Sequence, residues 1–62
     1  MTREKRMEFI NDVAEDLGIT IKDAAYELVF NFYDAAGFRR DELEKELDAK
    51  SENELVEMFC EI

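Results

Sequence analysis

Residues 18–38 read GITIKDAAYELVFNFYDAAGF and carry the clearest folding signals of this 62-residue chain. The chain has only two glycines, Gly18 and Gly37, and no proline. An apolar residue follows each glycine, a pattern typical of a helix that stops in the left-handed conformation and folds an apolar side chain back on its last turn. Thr20, with an acid three positions later, predicts an N-cap. These signals predict a helix over about residues 21–36.

The predicted helix is apolar over most of its circumference. At about 100° per residue, one narrow stripe is polar. The broad apolar face consists of Ala25, Leu28, Val29, Phe32 and Ala36. A second row is aromatic and contains Tyr26, Phe30 and Tyr33. Because a helix of this kind is normally buried on two sides, we expect it to be the longest helix and the centre of the fold.

The aromatic row has two interpretations. It can be ordinary core, which is the commoner use of aromatic residues at helical spacing. It can also lie at the edge of the core, where Tyr26 and Tyr33, each with an apolar ring and a polar tip, would be anchors for a partner or a second copy of the chain. We therefore treat Tyr26, Phe30 and Tyr33 as candidate partner-binding residues.

The remaining segments also read as helices. Apolar residues at three- and four-residue steps predict a first helix over about residues 2–17. In the last third, Asp41 with an acid three positions on, and Ser51 likewise, predict the caps of two short helices. One bent helix from Asp41 to Glu61 is the competing interpretation, since neither Gly nor Pro interrupts this segment. The prediction is a single all-α domain over residues 1–62, an orthogonal bundle of three or four helices.

The chain is strongly acidic. Its 17 Asp and Glu residues against eight Lys and Arg leave a net charge of −9. Such a charge disfavours direct binding to nucleic acid, because phosphate binding draws its affinity from Lys and Arg. The acids concentrate in the last third, which predicts either a solvated face or one that docks onto a basic partner, with Glu42, Glu46 and Glu54 as candidate contacts. Arg3, Lys5 and Arg6 oppose the dipole of the first helix, and would pair with acids of the chain or contact a partner.

Catalytic groups are scarce. Without histidine, the nucleophile pairs and zinc sites that use this residue are ruled out. The acids Glu57 and Glu61 flank Cys60 and disfavour a thiolate, so this cysteine is expected to be a small core residue. We predict no enzyme, no cofactor and no metal. A single cysteine and the lack of a long apolar run predict a reduced, cytoplasmic setting without a membrane span.

One segment has a partial resemblance. Residues 9–20 followed by an amphipathic helix resemble the helix-turn-helix half of the ribbon-helix-helix repressors, and the spacing of Ala14 and Gly18 also suits a helix-turn-helix motif. The ribbon family begins with an alternating basic strand, for which residues 1–8 are too short and too helical. The helix that would enter the major groove carries Asp23 and Glu27, the wrong sign for phosphate approach.

Size, acidity and aromatic surplus together favour binding over catalysis. The main hypothesis is a small protein-binding module that regulates or inhibits a larger, basic nucleic-acid-binding protein, as inhibitors encoded by phages and other mobile elements do. The alternatives are a dimeric helix-turn-helix-like transcriptional regulator and a structural homo-oligomer subunit.

Overall fold

A computed structural model describes residues 2–62 of the chain, which form four helices. These are α1 (Arg3–Leu17), α2 (Ile21–Ala35), α3 (Arg40–Asp48) and α4 (Glu52–Glu61). The prediction of a small all-α bundle is confirmed. The second helix shares the greatest length with the first, since α1 and α2 each have 15 residues.

Both glycines end a helix as predicted. Gly18 has φ 67° and Gly37 has φ 99°, in the left-handed region where a Cβ is unfavourable. Past Gly18, the backbone N–H of Ile19 donates to the carbonyl of Ala14 at 3.0 Å. Past Gly37, the N–H of Phe38 donates to the carbonyl of Tyr33 at 3.1 Å. These six-to-one bonds are the Schellman arrangement, which satisfies carbonyls that a helix end leaves unpaired.

The helix starts agree with two of the three predicted caps. The hydroxyl of Thr20 accepts the N–H of Asp23 at 3.1 Å at the start of α2. Before α4, the Ser51 hydroxyl accepts the N–H of Glu54, and the Glu54 carboxylate accepts the N–H of Ser51, both at 3.2 Å, which is a complete capping box. Because Ser51 is extended, with φ −78° and ψ 168°, the alternative of one bent helix is wrong.

The cap predicted at Asp41 is wrong. The N-cap of α3 is two residues earlier, at Arg39, which makes no side-chain capping hydrogen bond. Asp41 instead lies in the first turn of α3, where a carboxylate interacts favourably with the helix dipole. The early start places Arg40 beside α2, where its guanidinium donates to both carboxylate oxygens of Asp34 at 3.2 and 3.0 Å.

Helix α2 is central, as predicted. It packs against α1, α3 and α4. Its residues Ala24, Ala25 and Val29 are fully buried, and the two alanines let neighbouring helices approach closely. The other helices contribute the larger core side chains, which are Ile10, Leu43, Leu47, Leu55, Val56 and Phe59.

The predicted apolar face of α2 is buried only along its first part. Val29 is fully buried and Leu28 is half-buried, but Phe32 is 47% exposed and Ala36 is exposed. Phe32 lies on the core-facing side of α2, since it follows Val29 by three residues and Ala25 by seven. The helices packed on α2 cover its last turn only in part, since Tyr33 is half-buried there while Phe32 is exposed.

Candidate functional site

Exposed aromatic rings lie together at the open end of α2 and in the turn that follows it. Phe32 is 47% exposed and Phe38 is 57% exposed. Tyr33, Met58 and Ile62 beside them are half-buried. We refer to Phe32, Tyr33, Phe38, Met58 and Ile62 as the aromatic patch. Exposed apolar clusters of this kind mark interaction surfaces more often than single exposed residues do.

The helix stop at Gly37 builds the aromatic part of the patch. The Schellman turn carries Phe38 back over the last turn of α2, where its ring meets the Tyr33 ring edge to face with the centroids 5.1 Å apart. The rings of Phe32 and Tyr33 are also edge to face, with their centroids 5.4 Å apart. Aromatic pairs in this geometry attract one another beyond their buried area, so the three rings form one ordered unit.

Two depressions meet in the patch. One has a volume of about 260 Å³ and is lined by Tyr33, Phe38, Leu43, Glu46, Leu47, Lys50 and Met58. The other is lined by Phe32, Tyr33, Met58, Glu61 and Ile62. Because both are lined in part by Tyr33 and Met58, they adjoin each other between the end of α2, α3 and α4. We call these two depressions together the groove.

The rim of the groove is charged. Glu46 lines one depression and Glu61 the other. Lys50 also lines the first, but its ammonium group lies 3.9 Å from the Glu54 carboxylate. An apolar surface with a carboxylate in each depression can accept an apolar group flanked by cations.

The predicted aromatic row does not stay together. Tyr33 is part of the groove, whereas Tyr26 and Phe30 stack on one another elsewhere, with ring centroids 6.0 Å apart. All three are half-buried and pack against the core. The three rings therefore contribute to the core and are also partly exposed at its edge.

Tyr26 lies in a separate surface depression, which is lined by Lys22, Asp23, Tyr26, Leu47 and Asp48. Burial of the phenol, together with the nearby Asp48 carboxylate, raises the pKa of Tyr26 to about 12. The hydroxyl is thus neutral at physiological pH and can donate a hydrogen bond.

The three candidate acids have different surroundings. Glu46 lines the groove beside Tyr33. Glu42 is exposed in the first turn of α3. Glu54 is engaged in the capping box, where the hydrogen bond from the Ser51 backbone lowers the pKa of its carboxyl. Of the six predicted partner-binding residues, the structure brings together Tyr33 and Glu46.

Four residues of the patch were missed by sequence reasoning, which are Phe32, Phe38, Met58 and Ile62. Phe38 was interpreted only as part of a helix stop, and Phe32 as core. Met58 was not singled out. A signal for Phe38 existed, since the apolar residue after a Schellman glycine contacts the helix it ends. The exposure of Phe32 depends on which neighbours cover it, and no local pattern reports this.

Two of the three basic residues near the N-terminus pair with acids of the chain. The Arg3 guanidinium donates to both carboxylate oxygens of Glu57 on α4. Lys5 lies 3.8 Å from Glu8, and the Arg6 guanidinium lies 4.9 Å from the centre of the Phe59 ring. The interpretation that these cations compensate the chain's own acids is confirmed for Arg3 and Lys5.

The structure also bears on metal binding, membrane insertion and the cysteine, within the part of the chain that it describes. Among residues 2–62, no three His, Cys, Asp or Glu side chains are grouped so that they could hold a metal ion. None of the helices in this range has the length and apolarity needed to cross a membrane. Cys60 is half-buried against the core rather than placed in a reactive cleft.

Comparison with protein families, with curated proteins and with solved structures finds no match for this chain.

Proposed function

We propose that this chain is a small protein-binding module that regulates or inhibits a larger protein carrying a basic, nucleic-acid-binding surface. The observation that supports it best is the aromatic patch, with Phe32 47% and Phe38 57% exposed beside the acidic helix α3. Aromatic residues are enriched among the few interface residues that dominate binding energy. An ordered aromatic cluster left in solvent is suited to such a role.

The net charge of −9 favours a basic partner. Carboxylates along α3 and α4 present negative charge on a helical surface, much as phosphates do along a nucleic-acid backbone. Complementary charge accelerates encounter and rejects acidic partners. By covering a basic surface, the module would block nucleic acid from the same surface. The small size and acidity are typical of inhibitors encoded by phages and other mobile elements, and the single cysteine suits the reducing cytoplasm.

The experiment is an affinity capture with matched variants. Tagged wild type, the double variant Phe32→Ser/Phe38→Ser and the control Leu17→Ser are incubated with nuclease-treated lysate of the native host. Leu17 is 63% exposed and lies outside the groove, so its substitution alters surface hydrophobicity without touching the patch. We expect wild type and control to retain a basic protein that the double variant loses. Added wild-type chain should then displace nucleic acid from that protein in a gel-shift assay.

Binding kinetics give a second test with the captured protein. Charge reversal at Glu42 and Glu46 should slow association and flatten its salt dependence, because exposed charges act mainly on the encounter. Tyr33→Ala should instead speed dissociation, as expected for an aromatic anchor. The proposal fails if capture is independent of the patch, or if the captured protein keeps its nucleic acid in the presence of excess chain.

The helix-turn-helix alternative has less support. In that role α2 would enter the major groove, yet its exposed side carries Asp23 and Glu27 and its opposite side is buried among three helices. A gel shift of the purified chain with DNA at low salt, where phosphate contacts are strongest, distinguishes the two functions.

A further inference from the structure

The apolar stripe of α2 continues past the part of the bundle that covers it. Ala25 and Val29 are fully buried, while Phe32 on the same side is half exposed. The half-buried Met58 and Ile62 of α4 flank it, so the end of the core itself is open. An element that packed here would extend the existing helix packing by one layer.

The shape of the opening suits a helix. The groove runs between three helices, with Leu43 and Leu47 of α3 in its floor and Tyr33, Phe38 and Met58 along it. An amphipathic helix binds such grooves by placing apolar side chains at successive turns into the floor. Met58 adds adaptability, because its unbranched thioether side chain fills irregular gaps.

The charges select which helix can bind. Each of the two depressions of the groove has a glutamate in its lining, Glu46 in one and Glu61 in the other, and the cation beside Glu46, Lys50, is paired with Glu54. A second copy of the chain would bring another net charge of −9 toward this rim. Mutual repulsion disfavours that occupant, whereas Lys or Arg residues beside an apolar stripe complement the rim.

We propose that the groove is the docking site for a basic amphipathic helix of the partner, with apolar side chains on the aromatic patch and cations toward Glu46 and Glu61. This inference rests on the proposed function and specifies the partner segment and the surface that receives it. Phe32 and Phe38 are the anchors of the site, and the two glutamates set its charge preference.

The test uses a synthetic helical peptide of leucine and lysine at amphipathic spacing, and a twin peptide with glutamate in place of each lysine. Each is titrated into the full chain labelled with ¹⁵N, and amide shifts are followed by NMR. We expect the basic peptide to shift Phe32, Tyr33, Phe38 and Met58 most, and the acidic twin to shift none of them. Phe32→Ser/Phe38→Ser should weaken binding about tenfold or more, and Leu17→Ser should leave it unchanged.

Several results would overturn the inference: shifts centred outside the groove, equal binding of the twin peptide, or equal affinity for the double variant. The single variant Phe38→Ser, checked for wild-type helicity by circular dichroism, gives the same comparison if the double variant does not fold. Concentration-dependent self-association that Phe32→Ser abolishes would assign the groove to a second copy instead. Patch-dependent capture of a basic protein without peptide binding would leave the proposed function standing and reject the helical mode. Binding of the basic peptide without patch-dependent capture of a basic protein would support the helical docking mode and reject the proposed function.

Discussion

The rings of Tyr33 and Phe38 meet edge to face, at a centroid distance of 5.1 Å, across the left-handed turn at Gly37. The contact joins a folding signal to the candidate site, because the turn that ends α2 also places Phe38 in the groove. Phe38 is exposed for a structural reason, since the backbone directs it there. The patch should therefore keep its shape when no partner is bound.

Replacing the glycine by alanine should destabilise the fold to different extents at the two helix stops. An added Cβ meets nothing within 4 Å at either glycine, so the cost of Gly→Ala is in the backbone alone. Gly18, at φ 67°, is in the region that other residues adopt with a penalty of about 1–2 kcal/mol. Gly37, at φ 99°, is outside it. We expect Gly37→Ala to lower the free energy of unfolding more than Gly18→Ala does. Urea denaturation of both variants checks the order, and an equal or reversed order would contradict it.

Because the core is open at the end of α2, side-chain truncation there should lower the free energy of unfolding less than truncation in the buried core. Leu55 is fully buried, and Leu55→Ala should cost about 2–5 kcal/mol of unfolding free energy. Phe32→Ala should cost only about 1 kcal/mol, because nearly half of its side chain is already in water. Thermal and urea unfolding of the two variants measure the difference. A cost for Phe32→Ala as large as that for Leu55→Ala would show that the patch is core.

The pair of Arg3 and Glu57 predicts an acid-sensitive contribution to stability. The Arg3 guanidinium, which donates to the Glu57 carboxylate, lowers the pKa of that carboxyl below its usual value. A carboxyl with a lowered folded-state pKa stabilises the fold above its unfolded pKa of about 4.3, and this contribution is lost as the pH falls through the folded value. We expect Glu57→Gln to be less stable than wild type at neutral pH and equal to it in strong acid.

Urea denaturation of wild type and Glu57→Gln from neutral pH downward measures this convergence. Glu44→Gln is the matched control, since Glu44 is exposed and forms no ion pair within residues 2–62. It removes the same charge without removing a partner of Arg3, and no loss of stability at neutral pH is expected. A gap between wild type and Glu57→Gln that stays constant with pH would contradict the prediction.

The raised pKa of Tyr26 predicts that the fold loses stability at alkaline pH. Its pKa is raised to about 12, mainly by burial and further by Asp48. A tyrosine whose folded pKa exceeds its unfolded value of about 10 contributes full stability below pH 10, and loses it as the pH rises toward 12. In the background Tyr33→Phe, Tyr26 is the only tyrosine, and its ionisation can be followed by tyrosinate absorbance. Asp48→Asn should shift that titration to lower pH, and an unchanged midpoint would exclude a role for the Asp48 charge.

Most of the local structure could be predicted from short-range patterns. The two glycine stops, the Thr20 cap and the Ser51 capping box each depend on residues within a turn or so of one another, so the local sequence is enough to specify them. The start of α3 was missed because its cap uses no side-chain hydrogen bond and Arg40 is held by Asp34 of another helix.

The candidate site depended on contacts that no local pattern contains. Periodicity correctly put Phe32 on the inner side of α2, but burial requires that neighbouring helices cover the ring, and beside the end of α4 it stays 47% exposed. Likewise, the partner of Arg3 is 54 positions away in the sequence. Helical periodicity tells which side of a helix faces inward, because it follows from backbone geometry alone. Only the packing of the four helices settles where that side is covered and where Phe32, Tyr33 and Phe38 remain open to a partner.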